Sequence, residues 1–117
     1  MKFLRMMLIV FSIGFSTHSN AAAVRNSIEA DINIVGAVSC GDWINSHTHN
    51  LTAASWGEYW LIGFLSGIAA GSRIDFMKNT ESSLIVKMMN KYCTSHPLDS
   101  TSAGANVLLY ELIGKMQ

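Results

Sequence analysis

Charge is scarce in this sequence: 14% of its 117 residues carry one, and eight basic side chains balance eight acidic ones for a formal net charge of zero. A chain so nearly neutral offers a phosphate backbone no electrostatic attraction, so nucleic acid is not an expected partner. Its hydrophobic content of 50% is equally far from the composition of a disordered chain. There is one proline, Pro97, and no internal repeat, low-complexity tract or linker-like stretch, which excludes a solenoid and a second domain joined by a spacer. No apolar run reaches the roughly twenty residues that a bilayer requires. The two longest, residues 6–15 and 59–71, hold about ten and about thirteen.

The shorter run has another use. Lys2 and Arg5 precede it, and small residues ending in Ala21-Ala22-Ala23 follow it, the three-part order of a secretory signal peptide. Residues 1–23 are therefore expected to be a leader that is removed after Ala21, Ala22 or Ala23. Its loss leaves six basic against eight acidic side chains, a net charge of about −2. In an exported protein, two cysteines are expected to form a bridge. Cys40 and Cys93 would close a loop of 53 positions, for which the chain-entropy model gives about 4 kcal/mol.

Residues 27–34 alternate polar and apolar, with Ile28, Ala30, Ile32 and Ile34 on one side. No second strand follows to pair with it, so residues 24–37 read as an extended N-terminal arm or lone edge strand, ahead of a helical domain over residues 38–117. Cys40-Gly41-Asp42-Trp43-Ile44 opens a short first helix that runs out in the polar stretch 45–50. A long helix follows to about Gly71. Thr52 or Ser55 caps it, Ser55-x-x-Glu58 has capping-box spacing, and Trp56, Tyr59, Trp60, Phe64 and Ile68 form its core stripe. Gly63, Gly67 and Gly71, four apart, strip side chains from an adjoining face. Asn79 or Thr80 caps the next helix, with Leu84, Ile85, Met88, Met89 and Tyr92 as its apolar stripe; after Pro97, Asp99 or Ser100 caps a last helix carrying Ala105, Leu108, Leu109, Leu112 and Ile113. The expected fold is all-α, a small bundle of about four helices pinned by one disulfide.

Catalytic signals are missing. Ser66 lacks the G-x-S-x-G order of an exposed nucleophile, and no cofactor motif is present. His47-x-His49, with Asp42 and His96, is the one set with metal-ligand chemistry, but a two-residue spacing suits a strand better than a helix, and a polar surface loop explains the pair. The sequence therefore predicts no enzyme activity, metal or cofactor. Glu58 is expected either to cap the long helix or, if buried among the aromatic rings, to act as an acid or pH sensor. Trp43, Met88, Met89, His47 and His49 are the residues expected on a partner-facing surface, since methionine side chains adapt to varied clients.

The order Ser39-Cys40-Gly41-Asp42-Trp43, then Trp60-Leu61-Ile62-Gly63-Phe64-Leu65-Ser66-Gly67, then Tyr92-Cys93-Thr94-Ser95-His96-Pro97-Leu98 and a leucine-rich final helix resembles small exported bacterial proteins related to the acid-stress chaperone HdeA. It also resembles the Tai-type immunity proteins of type VI secretion. The resemblance covers about residues 38–113 and implies an all-helical periplasmic domain with one bridge. It implies a non-enzymatic binding or protective protein whose partner is another protein, either an acid-stressed client or a secreted toxin that it inhibits. A small metal-binding protein using His47, His49 and His96 is the remaining alternative. The glycine strip and the arm would suit a homodimer, and each has an intramolecular use as well.

Overall fold

The computed structural model describes residues 33–117; residues 1–23, expected to be a leader, and most of the alternating 27–34 segment lie outside the described residues. From Ile34 to Gln117 the chain forms one compact unit of four helices: α1 Cys40–His49, α2 Leu51–Ser72, α3 Ser82–Ser95 and α4 Thr101–Gly114. Among the described residues there is no strand, only an isolated antiparallel bridge between Ser39 and Ser100. The fold is all-α, as the periodicity predicts.

Each helix start has a local cause. Ser39 caps α1 by accepting the Asp42 N–H at 3.0 Å, and its hydroxyl donates back to the Asp42 carboxylate at 2.8 Å. This exchange satisfies a free amide that the helix cannot. The polar stretch 45–50, expected to be a loop, continues this helix instead, because Asn50 is the first residue able to turn the chain. Asn50 ends α1 through its N–H on Ser46 O and caps α2 by accepting the Ala53 N–H at 3.1 Å. One residue thus makes the whole corner. Ser55 lies inside α2 with its hydroxyl on Leu51 O, so neither the cap at Thr52 or Ser55 nor the expected capping box forms. α2 stops at Arg73, which takes the left-handed conformation (φ 58°).

Asn79 also has positive φ (59°) and belongs to the turn before α3; the N-cap is Glu81, one residue beyond the expected Thr80, and it offers no side-chain hydrogen bond. A carboxylate there still suits the positive end of the helix. Ser100 caps α4 as expected, accepting the Ala103 N–H at 3.2 Å, while Asp99 is left free for another role.

The core lies where α1 crosses α2 and α3. Cys40 and Trp43 of α1, Leu61 and Leu65 of α2, Ile85, Met89 and Cys93 of α3, and Ala105, Leu108 and Leu112 of α4 are all buried, with Phe76 closing one end. The Cys40–Cys93 bridge passes through this core, tying the start of α1 to the end of α3 with the Cα atoms 4.8 Å apart. A second clip holds the same end together. Cys40 N–H donates to Asp99 O, Thr101 N–H donates to Val38 O, and Val38 N–H donates to the hydroxyl of the fully buried Thr101. α4 approaches α3 closely at Gly104, where a Cβ would fall 2.7 Å from Met89 Sδ and 2.8 Å from a ring carbon of Tyr92.

Candidate functional site

The partner-facing residues expected from the sequence separate into two groups. Trp43 is 1% exposed and Met89 0%, so neither can face a partner in the folded protein. Both follow from helix geometry. Trp43 lies three residues after the bridged Cys40 and so turns to the same inner face, and Met89 stands midway between Ile85 and Cys93 at four-residue steps. Met88, a hundred degrees further round α3, is half-buried at the edge of a groove between α3 and α4. His47 is half-buried and His49 exposed, both on the last turn of α1.

The histidines do not converge. His47, His49 and His96 each direct Nδ1 at the carbonyl oxygen four residues earlier, that of Trp43, Asn45 and Tyr92 respectively. A carbonyl only accepts, so in each ring Nδ1 carries a hydrogen and donates. Among the described residues no three His, Cys, Asp or Glu side chains gather as a metal would require.

What His47 does meet is Glu58. Its Nε2 lies 3.0 Å from Glu58 Oε1, the ion pair found among the described residues. With Nδ1 donating to Trp43 O at 2.7 Å, Nε2 is the ring nitrogen that faces the Glu58 carboxyl group. This pair clamps the end of α1 to the first third of α2. Beneath it the Trp43 indole N–H donates to Asn90 Oδ1 at 2.6 Å, fastening α1 to α3. Glu58 therefore neither caps its helix nor sits buried among the rings.

Beside the clamp, Glu58, Tyr59 and Ile62 of α2 and Ser82, Val86 and Lys87 of α3 line an open groove of about 530 Å3 with a mainly apolar floor. Tyr59 forms its lip and also belongs to a larger feature. α2 buries Ala54, Leu61 and Leu65, whereas the opposite face carries Thr52, Trp56, Tyr59, Gly63, Ser66, Gly67 and Ala70, all exposed. Trp56 and Tyr59, expected in the core, are 72% and 74% exposed. Of that aromatic stripe, Trp60 and Phe64 stack on each other with ring centres 5.2 Å apart, and the Trp60 N–H donates to Val35 O at 2.8 Å. They are half-buried at the flank of α2.

No Asp, Glu, Lys or Arg interrupts the outer face, because Glu58, the sole charge of the 22-residue helix, turns toward His47. A Cβ added at Gly63, Gly67 or Gly71 would meet nothing within 4 Å. Sequence periodicity did not separate this face from the inner one, since apolar residues surround α2; the absence of charge on both faces was the available signal. Long as it is, no described helix is long and apolar enough to cross a membrane.

A further polar contact closes the α3–α4 corner. The Tyr92 hydroxyl donates to Asp99 Oδ2 at 2.5 Å, and this hydrogen bond, with burial and the carboxylate charge adding to it, pushes the Tyr92 hydroxyl up to about 12. His96 stacks on the same ring, centroids 4.3 Å apart.

Comparison with known proteins finds no matching family model, no matching curated protein and no matching solved structure.

Proposed function

We propose that this chain is an exported, non-enzymatic binding protein that holds another protein against the outer face of its long helix. The observation that carries the reading is the exposure of Trp56 and Tyr59 on a rigid, uncharged helix face. Soluble proteins seldom leave large neighbouring rings in water, and such residues are enriched at protein contacts. The Cys40–Cys93 bridge supports export, because structural disulfides persist in oxidising compartments. Both features fit the kind of protein that the HdeA-like and Tai-type resemblance implies, a small disulfide-pinned helical domain acting by contact.

A photo-reactive amino acid placed at Tyr59, with the same group at Lys91 as control, tests this in cells at neutral and acid pH. Adducts from position 59 and not from 91 are expected. A single stoichiometric enzyme captured at neutral pH identifies an immunity-type inhibitor. Equal capture from both positions, or none from 59, overturns the reading.

A second reading, protective action switched on by acid, is favoured by the His47–Glu58 clamp. That contact, 3.0 Å long and partly open to solvent, joins α1 to α2, while the disulfide limits how far the helices part. Many adducts, formed only at low pH, identify that mode.

A further inference from the structure

The outer face of α2 is uneven along its length. Its N-terminal half carries the two large exposed rings, Trp56 and Tyr59, and its C-terminal half is nearly flat, with Gly67, Ala70 and Gly71. Gly63 lies between the halves, close to the middle of Leu51–Ser72. Positions four and seven residues away from Gly63 in either direction fall on its own face, because seven residues make about two turns. Those positions are Tyr59 and Trp56 on one side, and Gly67 and Ala70 on the other.

From this we infer that two copies of the chain meet through α2, antiparallel, on a two-fold axis at Gly63. The inference rests on the reading of this face as a protein-binding surface and names a second copy as the occupant. An axis at Gly63 places Tyr59 over Gly67 of the partner subunit and Trp56 over Ala70 of the partner subunit. Bulk meets flat at each contact, and glycine meets glycine at the crossing, where backbones come nearest.

The energetic side agrees. Gly63 and Gly67 stand in the helix interior, where each destabilises it by about 1 kcal/mol relative to alanine, and at neither does this fold fill the space a side chain would occupy. Close approach of a second helix is what their small size permits. An isologous contact also sets like residues near one another, so any charge on the face would repel its own copy; there is none from Thr52 to Gly71 on that face. With whole side chains of roughly 200–250 Å2, exposures of 72% and 74% leave about 330 Å2 of ring per copy. Complete burial of these residues in two copies, with the equal surface they cover, reaches at most about 1,300 Å2, the lower end of the range of about 1,200–2,000 Å2 of stable interfaces.

Sedimentation of the full exported chain from 1 to 100 µM, with two kinds of variant, tests this. Dimer is expected within that range, and Gly67→Leu is expected to weaken association at least tenfold without lowering the melting temperature, since that position is open in the single chain. Gly63→Cys should link to its own copy under mild oxidation. Gly71→Cys should not, because antiparallel helices separate those positions by about 24 Å along the axis. A wild-type monomer at 100 µM overturns the inference, as does a dimer that Gly67→Leu leaves intact or that Gly71→Cys links as readily as Gly63→Cys. A monomer whose Tyr59 position still captures a different protein removes the second copy and keeps the protein-binding reading. A monomer capturing nothing from that position overturns both.

Discussion

Replacing Cys40 and Cys93 together by alanine should bring this domain close to its unfolding threshold. The bridge closes a loop with a sequence separation of 53. Constraining a loop of that length in the unfolded chain is worth about 4 kcal/mol in the chain-entropy model. A domain of the size from Ile34 to Gln117 has a total stability of roughly 4–13 kcal/mol, so this one bond is a third or more of it. For a domain this small each kcal/mol moves the midpoint by about 4–8 °C, so the double variant should melt about 20 °C lower. Helical circular dichroism during heating, with oxidised and thiol-reduced wild type run beside the variant, measures the shift. The native contacts provide the control. Cys40 N–H remains on Asp99 O and the Trp43 indole on Asn90, so the variant should keep its helical signal when cold. A fall of less than about 5 °C would refute the reasoning, because the unfolded chain would then not be gaining the freedom that an open loop provides.

Three other outcomes follow from the packing and the polar contacts. Gly104→Ala should lose about 1–3 kcal/mol in urea denaturation, since its Cβ would overlap Met89 and Tyr92, whereas Gly114→Ala, with nothing within 4 Å, should be neutral or slightly stabilising. Stability should fall as pH rises from 10 to 12: the Tyr92 hydroxyl titrates at about 12 in the folded state against 10.0 when free, so the folded protein holds a proton the unfolded chain has released. The stabilisation is complete below pH 10, and Tyr92→Phe should remove that slope. A double-mutant cycle of His47→Ala and Glu58→Ala should give a coupling of about 0.5 kcal/mol that shrinks at high salt; no measurable coupling at low salt would contradict the clamp.

Helix positions were readable where one face alone was apolar. In α3, Lys87 and Lys91 mark the outer face, so Ile85 stood out as an inward residue and is buried, although Leu84 of the same expected stripe is 43% exposed; in α4, Ala105, Leu108 and Leu112 are buried as expected, with Val107 and Tyr110 exposed beside them. The cysteine pairing needed only the count. Boundaries were harder, because a corner made by a single residue leaves no polar loop to see: Asn50 both ends α1 and caps α2. The polar composition of residues 45–50 reflects the outer face of a helix one turn longer than its apolar residues suggest.

The long helix misled for a different reason, and its cause bears on function. In a helix that packs on one side, the hydrophobic face is identified by contrast with charge on the other. α2 has no such contrast. Large rings at Trp56 and Tyr59 outweigh Ala54, Leu61 and Leu65 in any count of apolar size, so the expected core stripe begins on the outer face, although its later members Trp60, Phe64 and Ile68 do pack against the core. The buried face is instead decided by what the neighbours can hold. α1, bound through Cys40 to α3 and through His47 to Glu58, leaves room beneath it for small and aliphatic side chains, and Gly57 is squeezed to within 3.2 Å, measured from its would-be Cβ, of the Trp43 ring. Tryptophan at position 43 lies against Gly57 of α2, and the neighbouring rings Trp56 and Tyr59 face outward. A helix with apolar residues on both sides, whose sole charge, Glu58, turns to His47, satisfies one side within its own fold. Among the described residues nothing covers the other side, which is why the failure of periodicity and the candidate contact face fall on the same residues.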